Sequence, residues 1–164
     1  MFRNILVAYD GSPTSRSALA RAYELGNAEE ADVTIVTVAP AVAPLVEIAP
    51  VSLDGLRAEL HQWARKQLDE AQAAAPAGLT VRTVERNGHV GDEIVAELES
   101  GHYDLVVLGS RGHGRLTTEL LGSVNNHVHY HSSVPTLTVD TPDTAEASHQ
   151  TGGAKAEAAS PSMV

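Results

Sequence analysis

Apolar residues cluster in five short segments rich in β-branched side chains: Asn4–Tyr9, Asp32–Ala39, Leu79–Glu85, Tyr103–Gly109 and Val134–Asp140. Their length and composition predict strands. Between them the apolar residues return every three or four positions, the period of a helix with one buried face. The first helix opens with Ser12 as a cap and Pro13 at the first helical position, and Ala18, Leu19, Ala22 and Leu25 form its stripe. The second spans Ser52–Ala75, with Leu53, Leu56, Leu60, Trp63, Ala64, Leu68 and Ala71 in register, and Pro76 and Gly78 end it. Trp63 reads as core packing. A third helix covers Gly91–Ser100 with Ile94, Val95 and Leu98 inward, and a fourth begins at Gly122-Ser123 and continues to about His131.

Strands separated by helices pair in parallel through right-handed crossovers, with both faces of the sheet covered. The expected fold is therefore α/β, a single-domain doubly wound parallel sheet of five strands. Leu105-Val106-Val107-Leu108 is an unbroken apolar run that belongs in its interior. Ala39–Pro50, with Pro40, Pro44 and Pro50, reads as an extended or mobile connection, and the Ala/Ser/Thr/Gly/Glu/Pro composition from residue 141 to 164 predicts a disordered tail after a domain of residues 1–140.

Composition narrows the function classes. The chain has 164 residues and no cysteine, which removes disulfide scaffolds, thiol catalysis and cysteine-ligated metal centres and is compatible with a reducing cytoplasm. The apolar run at the start is too short for a secretory or membrane-spanning segment, so no membrane association is expected. A net charge of −10 without a Lys/Arg stripe disfavours nucleic acid. The same charge opposes phosphates, so a nucleotide would have to be held by backbone amides, a metal ion or the few arginines.

In doubly wound sheets ligands sit beyond the carboxyl ends of the strands. There the run Gly109-Ser110-Arg111-Gly112-His113-Gly114-Arg115 stands out. Glycines let a ligand approach the main chain closely, so successive amides can converge on an anion. Gly122-Ser123, at the start of the fourth helix, offers a second anion site through free amides, the helix dipole and the Ser123 hydroxyl. Two such sites suit a polyphosphate; a tight turn and a helix cap are the plainer alternative. Arg115-Leu116 stands where a P-loop needs Lys followed by Ser or Thr, and Thr117 replaces the last glycine of the dinucleotide-binding pattern.

The remaining pattern is Gly-x2-Gly-x9-Gly-Ser, formed by Gly109, Gly112, Gly122 and Ser123, and with it the sequence resembles the ATP-binding branch of the universal stress protein family. Ile5-Leu6-Val7-Ala8-Tyr9-Asp10-Gly11-Ser12, Asp104 to Gly112, Gly122-Ser123-Val124 and Val134-Pro135 follow that family's order over roughly residues 2–140. The resemblance implies strand order 3-2-1-4-5, with ATP, ADP or AMP across the ends of strands one and four. It implies adenine contacts near Val38 and Ala8, the ribose near Asp10 and Gly109, phosphate contacts from Gly112, Gly122, Ser123 and Val124 with Arg111 as an extra charge, and Mg2+ on the phosphates. For Asp10 the alternative is an Asx-turn beside Ser12 and Pro13. It further implies a homodimer through the last strand, although Thr136 and Thr138 interrupt what is usually an aliphatic run there.

His127 and His131 lie four apart on one helix face and His129 points elsewhere, so solvated polar residues are a simpler reading than a metal centre. His113 is either a phosphate contact or a spacer. Three function classes then remain: a stress-response binding and signalling protein with at most weak ATPase activity, which the glycine pattern favours; a nucleotide-processing enzyme; and a nucleotide-independent protein acting through protein contacts.

Overall fold

Alternating apolar strands and amphipathic helices fold into β1 (Asn4–Ala8), α1 (Pro13–Glu29), β2 (Asp32–Pro40), α2 (Leu53–Ala73), β3 (Val81–Gly88), α3 (Val90–Ser100), β4 (Leu105–Gly109), α4 (Ser123–His131) and β5 (Thr136–Val139). The computed structural model describes residues 1–41, 53–111 and 122–141. All strand pairs are parallel, in the order β3-β2-β1-β4-β5. The five-stranded doubly wound sheet is as expected. The glycine loop from Gly112 with His113, most of the 39–50 connection and the tail beyond Thr141 lie outside the described residues.

Successive strand residues face opposite sides of the sheet, and each side has its own core. Ile5, Val7, Val33, Ile35, Leu105 and Val107 pack with Ala18, Leu19, Ala22 and Tyr23 of α1 and Leu68 and Ala71 of α2. On the other face Leu6, Val36, Val106 and Leu108 pack with Ile94, Val95 and Leu98 of α3 and Val128 of α4. Helix α2 engages the core through its second half only. Ala64, Gln67, Leu68 and Ala71 are buried, whereas Leu53, Leu56, Leu60 and Trp63 are half-buried, so the expectation of a core tryptophan is corrected.

Strand β3 runs later than its hydrophobicity predicts, Val81–Gly88 rather than Leu79–Glu85, because backbone pairing with β2 continues to Pro40↔Gly88. The polar Arg86 is accommodated by α3. Its guanidinium bonds Glu97 Oε2 from Nε (2.9 Å) and Nη2 (2.6 Å), while Tyr103 donates to Glu97 Oε1 at 2.7 Å. A side-chain network outside the reach of periodicity thus sets that boundary.

The turn between β1 and α1 is built from its own polar side chains. Ser12 Oγ caps α1 by accepting from Ser15 N (3.2 Å), and Asp10 Oδ1 accepts from Ser12 N (3.0 Å), the Asx-turn. Gly11 has φ +78°, and a β-carbon there would lie 2.0 Å from Gln67 Oε1. The first turn of α1 then packs directly on the end of β4. A β-carbon on Gly109 would stand 2.8 Å from Thr14 C and 2.9 Å from Ser15 N, both backbone atoms.

Two outcomes follow from this packing. Gly109→Ala is expected to destabilise the protein by about 1–3 kcal/mol in chemical denaturation, because backbone rather than a flexible side chain must shift; an unchanged midpoint would mean that α1 yields freely. The second concerns the buried phenols. Burial, aided by Tyr9, pushes the Tyr23 phenol from 10.0 up to about 12. Burial and the Glu97 hydrogen bond raise Tyr103 likewise to about 12. Their stabilisation is complete below the unfolded value of 10.0 and is lost as pH rises through about 12. Stability measured across that range should fall, and Tyr103→Phe should flatten the decline.

Candidate functional site

The C-terminal edge of the sheet is uneven, and the unevenness makes the site. Pairing of β1 with β2 ends at Ala8↔Val36, where Tyr9 N–H donates to Val36 O at 2.9 Å, while β2 continues beside β3 to Pro40. In a parallel strand the N–H and C=O of one residue point to the same neighbour, and successive residues alternate. Val33 N bonds towards β3 and Val36 O towards β1, so the backbone of Val38 faces the β1 side, beyond the point where β1 stops. Its side chain is buried in the α3/α4 core, with Ala8 packed at the margin of that core. The recess is therefore edged by main chain, as the base of a nucleotide requires.

Around this recess the structure brings together the turn after β1, the end of β4 and the start of α4. Thr14 Oγ1, in the first turn of α1, donates to the carbonyl of Arg111, and Gly122 N–H donates to Ser110 O at 3.2 Å. Gly122 is the N-cap of α4, and among the described residues no side chain caps that end. Asn126 N–H donates to Gly122 O at 3.2 Å, so the amides of Ser123, Val124 and Asn125 belong to the first turn that precedes this bond, with the Ser123 side chain exposed. Helix α1 caps itself; α4 does not. Among the described residues, the helix end on this edge that no side chain closes is thus that of α4.

The predicted residues divide accordingly. Ala8, Asp10, Val38, Gly109, Arg111, Gly122, Ser123 and Val124 gather along one sheet edge, and Gly112 lies outside the described residues. Two details of the expectation change. Gly122 has φ −54° and ψ 153°, a conformation open to other residues, so glycine is not required there by positive φ. Its amide also already serves Ser110 O. Gly109 is needed for the approach of α1.

Charge at the site is balanced locally. Arg111 Nη2 lies 3.5 and 3.4 Å from the two carboxylate oxygens of Asp140, just after β5. Asp140 Oδ1 also accepts from Ser110 Oγ (2.9 Å) and Thr141 N (2.8 Å). The Ser110 hydrogen bond, then that of Thr141, hold the Asp140 carboxyl below its usual range. Sequence reasoning passed over Asp140, Thr14 and the buried Asn125. Asp140 follows directly on a strand, and Asn125 shares the helical stripe of Val128; both signals were readable.

The histidines sit on the opposite side of α4. His127 and His131 stack with ring centroids 4.2 Å apart, as their spacing predicts. A carboxylate reaches them from another element: His127 Nε2 is 2.8 Å from Asp92 Oδ1 of α3, and His89 Nδ1 is 3.3 Å from Asp92 Oδ2. Among the described residues no group of three His, Cys, Asp or Glu side chains is arranged to hold a metal ion. Nor is any described helix long and apolar enough to cross a membrane.

Comparison with known proteins agrees with this geometry. The model of the universal stress protein family matches residues 1–140. Universal stress protein YxiE of Bacillus subtilis (strain 168) is 32% identical over 147 residues, covering 85% of this chain and 99% of that protein. The structure of hypothetical protein MJ0577 aligns with a TM-score of 0.76 at 24% identity, over 88% of this chain and 99% of that one. A universal stress protein in complex with cAMP aligns with a TM-score of 0.60 at 26% identity, over 86% and 98% of the two chains. With its sheet order, its recessed β1 edge and the family match across both halves of the site, the chain belongs to the universal stress protein family.

Proposed function

We propose that this protein binds an adenine nucleotide, ATP with Mg2+, across the ends of β1 and β4, and acts as a signalling or protective protein of the stress response. The observation that carries the reading is the convergence on one edge of a main-chain recess at Val38 and the uncapped amide end of α4. The recess suits the adenine, with Ala8 beside it. Asp10 and Gly109 stand between recess and helix, where the ribose would lie. Ser123 and Val124 supply amides and a hydroxyl to the phosphates, with Arg111 alongside. The relative whose structure is in complex with cAMP supports an adenine-nucleotide ligand.

Electrostatics decides how the phosphates are held. With a net charge of −10, the chain gains little from its long-range field and depends on short-range dipoles. The oxygen-rich surroundings, from Asp10, the Ser123 hydroxyl and the phosphates themselves, suit a hard cation such as Mg2+, which neutralises phosphate charge when bound. Strand β5 pairs with β4 on one side, and its other edge is where a second copy of the chain would add to make the homodimer. The working compartment of this reading is the cytoplasm.

Calorimetric titration of nucleotide-stripped protein with ATP and Mg2+ tests the reading. Saturable binding is expected, weakened at least about tenfold by Gly122→Val, whose branched side chain would crowd the gap to Ser110 O. A β-carbon at that position already lies 3.2 Å from this oxygen. Absence of binding by folded wild-type protein would favour action through protein contacts. Arg111→Ala should lower ATP affinity by roughly two- to fivefold, because an exposed cation contributes about 1 kcal/mol or less, and the loss should shrink as salt is raised. A salt-independent loss would instead assign Arg111 a packing role.

A further inference from the structure

One deeply buried polar side chain at this edge has no part in the contacts described so far. Asn125, the third residue of α4, is 4% exposed. Its Nδ2 donates to Gly109 O at 2.7 Å, and its Oδ1 accepts from Thr138 Oγ1 at 3.0 Å. A carbonyl can only accept, so the orientation of the amide is fixed by Gly109, and the remaining oxygen requires a donor from β5. Thr138 supplies it. This accounts for a threonine in a strand whose relatives by resemblance carry aliphatic residues, and it links two otherwise unrelated sequence features.

We propose that the Asn125–Thr138 pair is a positioning device that sets the open amide end of α4 against the end of β4, and so governs recognition of the phosphate part of the ligand. A side chain at this third helical position commonly turns back to its own N-cap. Here it reaches across to Gly109 instead, leaving the first-turn amides to a ligand. Because Asn125 follows Ser123 and Val124 on the same turn, movement of its anchor moves both donors. Val38 and Ala8 at the base end and Asp10 at the ribose end are on other elements, and the ribose end touches the pair only through the Gly109 carbonyl on which Asn125 is anchored. The pair therefore acts on phosphates and not on adenine. This rests on the adenine-nucleotide reading above.

The test compares calorimetric affinities for ATP and for adenosine in wild type, Asn125→Ala, Thr138→Val and Thr138→Ser, with thermal unfolding of each. Asn125→Ala should weaken ATP about tenfold while adenosine changes less than about twofold, the size of one buried hydrogen-bond system lost from one part of the ligand. Thr138→Val should shift ATP affinity in the same direction by a smaller factor, and Thr138→Ser, which keeps the hydroxyl, should match wild type. Thr138→Val also provides the answer if Asn125→Ala fails to fold. Equal loss for ATP and adenosine, or no loss of either in folded variants, would overturn the proposal while leaving nucleotide binding intact. Wild-type protein that binds neither ligand would remove the nucleotide reading and this proposal with it.

Discussion

The contact between the first turn of α1 and the end of β4 is the constraint on which the rest of this edge depends. It exists because position 109 has no side chain: any β-carbon there would meet the backbone of Thr14 and Ser15 at under 3.0 Å. Close approach brings the Asp10-Gly11-Ser12 turn beside Ser110 and Arg111, and Thr14 secures it through the Arg111 carbonyl. The same glycine presents its own carbonyl to Asn125 on the other side. One residue thus couples the helix that follows β1 to the helix that precedes β5, and the recess lies between the two.

That coupling resolves two uses of glycine that the linear pattern merges. In Gly-x2-Gly-x9-Gly-Ser the glycines look equivalent, as though each served the ligand. Gly109 serves packing, and Gly122 is a helix cap with ordinary dihedrals whose amide is already engaged by Ser110. The donors left for an anion are non-glycine residues, Ser123 and Val124. The spacing in the motif is then partly the spacing needed to close β4 onto α4, as the Gly122–Ser110 and Asn125–Gly109 bonds do.

The strands were legible because each is short, β-branched and bounded by polar turns, and β4 in particular could only be buried on both faces. The start of α1 was equally legible, since Ser12 and Pro13 perform local roles that do not need tertiary context. What the sequence concealed depends on partners distant along the chain. The end of β3 is set by pairing to Pro40 and by Glu97 holding Arg86, not by hydrophobicity. Trp63 fits the apolar stripe of α2, yet the core closes at Ala64 and Leu68, and the large ring stays at the margin. The burial of Asn125 can be read from the stripe it shares with Val128, but its partner Thr138 lies on β5 and cannot. The carboxylate beside His127 is Asp92 on another helix, which the helical spacing of the histidines does not reveal.

The acidity of the chain gives these local arrangements their weight. A basic protein can hold phosphate with loosely placed lysines, because a point charge tolerates misplacement. In a protein of net charge −10 a larger share would fall to amide dipoles, beside any bound cation, and their attraction falls off within the first helical turn. Placement of that turn then matters more than its charge. Burying a polar amide such as Asn125 is unfavourable unless both of its ends are satisfied, and here both are, by the carbonyl of one strand and the hydroxyl of the next. Arg111 adds a cation, but one shared with Asp140 and largely exposed to water, where screening reduces its effect. Rigid placement of neutral dipoles is thus the route to phosphate recognition that this charge balance leaves open, and the hydrogen bonds around Gly109 provide that rigidity.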